Sequence, residues 1–205
     1  MYKKYDKINL GSGSMSLEGF YNVDWPPRHL DGIIPEKISE NVTYRTPDDY
    51  LDITNLSNIP NNSFSYVRAS HVLEHFCISK TKSILTEWVR ILDTGGTIEI
   101  VVPDFDDIVL NRYYDSEGKY DSWWEETMND RGLWWDTPER KPFKTKEMAL
   151  MQLLFLNGHH KASFNFKFLK DLLEDNGIVD IEEFENTTLD TAVCIYSLCV
   201  KGVKK

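Results

Sequence analysis

Two apolar, β-rich runs that end abruptly in a glycine or an acid constrain this chain most: Ile8-Asn-Leu-Gly-Ser-Gly13 near the start and Ile98-Glu-Ile-Val-Val-Pro-Asp104 at mid-chain. Parallel strands deliver a ligand site at their carboxyl ends in this way. Between them, Phe20-Tyr-Asn-Val-Asp24 again ends in an acid. Together the runs predict a nucleotide-shaped cofactor lying across a doubly wound sheet.

The rest of the chain alternates between strand and helix periods. Strands are expected at 7–10, 20–24, within 42–53, and at 65–69, 97–102, 178–185 and 192–200. The clearest helix spans about 79 to 93, where Ile84, Leu85, Trp88, Val89 and Leu92 form one broad apolar face. Gly95-Gly96 then supplies the positive φ that a helix end favours. Further helices are expected at 145–156 and 165–176, and the short joint at 186–190 favours a closing hairpin. This order means an α/β fold with a mainly parallel sheet. At 205 residues the chain suits a single domain, 1–205, with 105–157 as a substrate-side insert.

Charge narrows the partners. With Lys+Arg 23 against Asp+Glu 33, the net charge is −10, and the two signs are scattered. Such a surface repels nucleic-acid phosphates and anionic membranes, so neither is expected as a partner. Cys77, Cys194 and Cys199 make an odd count without a CxxC spacing, which fits a reducing compartment. The first residues lack an apolar leader and no run reaches transmembrane length, so a cytoplasmic location is expected.

Each motif has a chemical and a bland reading. Gly11-Ser12-Gly13 after a strand lets backbone approach a ligand, although such turns are often only structural. The dinucleotide pattern GxGxxG fails because Ser16 stands where its third glycine belongs, and Asp24 follows Gly13 too soon for a first helix. NAD is therefore a poor fit. The Asp24 carboxylate can still accept two hydrogen bonds from a ribose diol. Asp52 could accept from an adenine amino group or be a solvated turn acid. His71-Val-Leu-Glu-His75 matches the inverted zinc-peptidase pattern, yet it begins at a strand end and nothing marks a third ligand, so no metal site is assigned to it. Gly158-His159-His160-Lys161 lies between two helices, where histidines are commonly idle but are also placed to reach over the sheet edge as bases. The insert carries Tyr113, Tyr114, Tyr120, Trp123, Trp124, Trp134 and Trp135 among acids. Such rings pack a cap, or stack on the C–H face of a sugar while acids bind its hydroxyls; Trp123, Trp124, Trp134 and Trp135 are the candidate substrate residues.

Six segments occur in a telling order: Ile8-Asn-Leu-Gly-Ser-Gly, Gly19-Phe-Tyr-Asn-Val-Asp24, Ile59-Pro-Asn-Asn-Ser-Phe64, Ala69-Ser-His-Val-Leu-Glu-His75, Glu87-Trp-Val-Arg-Ile-Leu-Asp-Thr-Gly-Gly96 and Val102-Pro-Asp104. Together they resemble the small class I S-adenosylmethionine-dependent methyltransferases of the type 11 kind, closely over 8–104 and more loosely over 158–177. Ser12 stands where that family often has cysteine, and Asp93-Thr94 where it often has Lys-Pro. The resemblance implies a Rossmann-like, seven-stranded, mostly parallel sheet with an antiparallel last strand, here carrying an aromatic-rich helical insert. It implies that Gly11, Ser12 and Gly13 face the methionine part of S-adenosylmethionine, Asp24 the ribose and Asp52 the adenine. Ser70 and His71 would lie beside the sulfonium, with Glu74 and His75 mostly structural. Family members often accompany glycosyltransferases in surface-glycan pathways. The expected reaction is O-methylation of a sugar hydroxyl of a glycan, with His71, Asp104, His159 and His160 as candidate catalytic residues. Asp104 either orients a histidine or joins one in holding a divalent cation. The rival readings are a non-catalytic relative that binds the cofactor or a glycan, and a zinc hydrolase.

Overall fold

A computed structural model of the chain describes residues 4–13, 16–25, 37–39, 42–43, 46–114, 146–155, 159–185 and 196–205. Its strands are β1 (Lys7–Leu10), β2 (Phe20–Asp24), β3 (Lys37–Ser39), β4 (Val42–Thr43), β5 (Asp49–Tyr50), β6 (Phe64–Ser70), β7 (Leu92–Pro103), β8 (Ile178–Glu183) and β9 (Ser197–Lys204). Seven form one sheet in the order β5-β2-β1-β6-β7-β9-β8, while β3 and β4 form a separate antiparallel pair. The strands from β5 to β7 run parallel, and β9 runs antiparallel to both β7 and β8. The seven-stranded, mostly parallel sheet with an antiparallel last strand is thus present. The helices are α1 (Ile78–Ile91), α2 (Lys146–Phe155) and α3 (Phe166–Glu174).

Strand alternation sorts the two faces of the sheet. In register on one face stand Ile8, Leu10, Val23, Val67, Ala69, Ile98, Ile100 and Val200. They share one buried core with Ile84, Leu85 and Trp88 of α1 and Leu169 and Leu173 of α3. Trp88 is fully buried, and its indole N–H donates to the Ile53 carbonyl at 2.8 Å, so the ring brings no unpaired donor inside.

The other face carries a row of polar side chains, matched strand by strand: Asn22 opposite Asn9, Asn9 opposite Arg68, and Arg68 opposite Glu99. All four are buried. Asn9 Nδ2 donates to Asn22 Oδ1 at 3.1 Å, Arg68 Nη1 to Asn9 Oδ1 at 3.3 Å and Arg68 Nε to Glu99 Oε1 at 2.7 Å. Tyr66 donates its hydroxyl to the other Glu99 oxygen. The described part of the β1–β2 connection contains no helix, as the short spacing from Gly13 to Asp24 requires.

Two boundaries differ from expectation. Helix α1 ends at Ile91, and Leu92 is already extended at φ −75 and ψ 138. Gly95 and Gly96 instead sit in a bulge of β7: Phe64 pairs with Leu92 and Tyr66 with Thr97, so two steps along β6 match five along β7. Gly95 takes φ +78, and a Cβ on Gly96 would lie 2.9 Å from the carbonyl oxygens of Asp93 and Ser65. The bulge needs both glycines. The carbonyls left at the end of α1 are met from the last strand, which runs to Lys204 beyond the expected end at Val200. Lys204 Nζ donates to Val89 O at 2.9 Å, Leu92 O at 2.6 Å and Asn62 Oδ1 at 2.8 Å, a cation at a helix C-terminus.

Arg68→Met alone leaves Glu99 buried without its cation and is expected to cost about 3–5 kcal/mol in urea unfolding. The double variant Arg68→Met, Glu99→Leu should recover most of that loss. A single variant within 1 kcal/mol of wild type would refute the role of the pair.

Candidate functional site

The carboxyl ends of β1, β2 and β6 converge. After β1 the chain turns through Gly11 (φ +68) and Gly13 (φ +53). Ser12 N donates to Val23 O at 3.0 Å, which folds the turn back over β2. The Asp24 carboxylate then accepts from the backbone of Trp25, at 2.7 Å, and of Gly13. Burial pushes this carboxyl above its usual range, against those two donors. A carboxylate has about four acceptor positions, so capacity for a diol remains.

The two glycines serve different ends. A Cβ on Gly11 would meet Val72 Cγ2 at 2.5 Å, whereas among the described residues nothing lies within 4 Å of one on Gly13. Close approach at Gly11 is thus made by the protein's own Val72, and none of the described residues covers Gly13. Beside them the buried Ser12 hydroxyl has no hydrogen-bond partner among the described residues, and neither has Ser70 Oγ at the end of β6. Unpaired buried hydroxyls are uncommon and call for a ligand or water.

Asp52, the candidate adenine acceptor, is exposed. Its Oδ1 accepts from Thr54 N at 2.9 Å and Thr54 Oγ1 at 2.6 Å, the bonds of a turn acid.

Past β6 the chain enters an unusual conformation at His71, a non-glycine residue with φ +53. This costs of order 1–2 kcal/mol and marks a place where structure serves a site. The His71 N–H bonds Val101 O at 2.8 Å, and its ring spans Ser197 Oγ (3.0 Å from Nε2) and Glu74 Oε1 (3.2 Å from Nδ1). Glu74 lies in a short 3₁₀ turn, Leu73–His75, and its side chain is 1% exposed. Burial pushes the Glu74 carboxyl up, but the His71 hydrogen bond and the charges of His71 and His75 prevail and hold it below the usual range. His75 Nδ1 donates to the His159 carbonyl at 3.1 Å, and the rings of His75 and His160 meet edge to face at 5.1 Å. His160 is buried, with Nε2 4.0 Å from Glu74 Oε1, and desolvation pushes its pKa down to about 4. Lys161 N and Ala162 N both donate to Glu74 O, at 2.7 and 3.2 Å, which ties the distant histidine segment to the turn after β6.

His71, expected just past a strand end, and His160, expected to reach over the sheet edge, meet at one carboxylate. His159 itself is exposed and offers its carbonyl. Asp104 bonds elsewhere: its Oδ1 accepts from Asp106 N at 2.9 Å and its carbonyl from Ile108 N at 3.0 Å, capping the π-helical segment Asp107–Tyr114. Burial also raises this carboxyl. The carboxylate among the histidines is Glu74, not Asp104. Ser197 was missed, since nothing in a late strand announces a bond to His71. The two ends of the insert are helical, and Tyr113 donates to Glu147 Oε1 at 3.2 Å across them. Trp123, Trp124, Trp134, Trp135 and Gly158 lie outside the described residues.

The comparisons agree with this fold. A family model described as a methyltransferase domain matches residues 36–100. No curated protein matches the chain. Among solved structures, a S-adenosylmethionine-dependent methyltransferase from Archaeoglobus fulgidus superposes with TM-score 0.53 at 13% identity, covering 99% of this chain and 88% of its own. A possible histamine N-methyltransferase from Thermotoga maritima gives TM-score 0.51 at 12% identity, covering 97% and 82%. The YcgJ protein of Bacillus gives 0.52 at 13% identity, covering 97% and 91%. The chain has the fold of S-adenosylmethionine-dependent methyltransferases.

Both glycines of the first turn are left-handed, so alanine at either costs about 1–2 kcal/mol. Gly11→Ala should lose roughly a further 1–3 kcal/mol from overpacking against Val72. In a denaturation cycle, Val72→Ala is expected to cancel that excess. Equal losses for Gly11→Ala and Gly13→Ala would contradict the packing argument.

Proposed function

We propose that this chain is a S-adenosylmethionine-dependent O-methyltransferase acting on a sugar hydroxyl of a glycan. The observation that carries the cofactor assignment is the meeting of three strand ends at one place. There Asp24 keeps acceptor capacity and, among the described residues, nothing would meet a Cβ on Gly13 and the buried hydroxyls of Ser12 and Ser70 have no hydrogen-bond partner. These residues fit a ligand with a diol and several polar edges. When bound, the cofactor supplies a methyl group already activated on sulfonium. The chain's part is then to align the acceptor and take one proton from it.

For the proton, the histidines differ by environment. Desolvation keeps His160 neutral, so it can accept. His71 is held by Glu74 and Ser197 and serves best as an orienting group that passes charge along that chain of bonds. His159, exposed, is the alternative base. The sugar acceptor is supported by the aromatic and acidic composition of 105–157, and the acidic net charge speaks against nucleic-acid acceptors.

Calorimetric titration with S-adenosylmethionine and with S-adenosylhomocysteine tests the cofactor. Both should bind, and Asp24→Ala, which removes charged hydrogen bonds, should weaken them at least about tenfold. Absence of binding by either sinks the reading. With a panel of acceptor sugars, His160→Ala should lower turnover while cofactor affinity stays. Full turnover in both His159→Ala and His160→Ala would dismiss these bases.

A further inference from the structure

We infer that Glu74, His75 and His160 form a binding site for one divalent transition-metal ion of the zinc type. The inference stands or falls apart from the cofactor assignment; with an ion bound, His160 Nε2 is occupied and proton acceptance falls to the exposed His159. Their ligand atoms lie within 4.8 Å of one another, and two of the three residues are buried.

Four observations converge on a cation. The first is the state of Glu74. Its side chain is 1% exposed, and Oε2 has no hydrogen-bond partner among the described residues. His71 Nδ1 is the nearest donor to Oε1, at 3.2 Å, and His160 Nε2 at 4.0 Å is too far for a hydrogen bond. The histidines already favour the charged carboxylate, and its unshared Oε2 leaves a buried anionic acceptor open to a cation.

The second is the anchoring of both imidazoles. His75 gives Nδ1–H to the His159 carbonyl, and the ring of His160 hydrogen-bonds the Leu154 backbone. A ring fixed through one nitrogen to a carbonyl directs the other at a metal, which is how proteins orient histidine ligands.

The third is the backbone frame. Lys161 N and Ala162 N clasp the carbonyl of Glu74 itself, so ligands far apart in sequence are held on one rigid joint. The fourth is the donor set. Two imidazoles and a carboxylate suit zinc and its neighbours in the first transition row, whereas magnesium and calcium prefer all-oxygen shells. Tetrahedral zinc sets its ligand atoms roughly 3.4 Å apart, given bonds near 2.0–2.1 Å. Small side-chain rotations close the present spread, and the partly exposed His75 leaves the ion a route in. The fourth position falls to water. The site is not the peptidase arrangement that the HxxEH spacing suggests, because His71 turns to Ser197 and Glu74 and its place is taken by His160.

The test uses the full chain, stripped with a chelator and dialysed against zinc chloride. Elemental analysis should find one zinc per chain. Cobalt(II) in its place should give the visible bands of a four-coordinate site. His75→Asn and His160→Asn should each weaken zinc binding at least a hundredfold in competition with a chromophoric chelator. His159→Ala, which keeps its carbonyl, should bind as wild type. Circular dichroism checks folding, and if His160→Asn fails there, the more exposed His75→Asn decides. Zinc well below one per chain, or affinity unchanged in the folded histidine variants, overturns the site. Cofactor titration in parallel separates the two proposals, since either ligand can bind without the other.

Discussion

Arg68 sets the register on which the central sheet depends. Its guanidinium reaches Asn9 on β1 and Glu99 on β7 from the middle strand, and Asn22 extends the row to β2. A slide of two residues would keep valine and isoleucine on their own face, but it would break the bonded ion pair. A slip of one residue would turn every side chain to the opposite face and strand the charge in the core. The carboxyl ends that build the site share one edge because this row holds them level.

Much of that arrangement could be read from the chain itself. Runs such as Ile98 to Asp104 announced parallel strands, and the absence of room between Gly13 and Asp24 announced a connection without a helix. What stayed hidden was set by partners distant in sequence. Gly95-Gly96 looks like a helix end until the pairing with β6 shows that the bulge needs it. The final Lys201-Gly-Val-Lys204 looks like a solvated tail, yet Lys204 completes the carbonyls of α1.

The site divides along the same line. Gly11, Asp24, Ser70 and His71 carry local signals, each being the last word of a strand. Glu74 carried a signal of another kind, and its HxxEH spacing suggested a helical ligand set. Only the fold shows that His71 takes a left-handed turn and that His160 arrives from a segment more than eighty residues later. Ser197 gave no sign at all, since its meaning lies wholly in the neighbour that β9 brings to it.

Val72 sits in the space above Gly11 and is joined by a peptide bond to His71. The glycine turn and the strained histidine are therefore parts of one lever, with Val72 as its fulcrum. A side chain added at Gly11 would press first on Val72, and through it on the backbone of His71. Side-chain packing at Val72 is thus what joins the turn after β1 to the turn after β6.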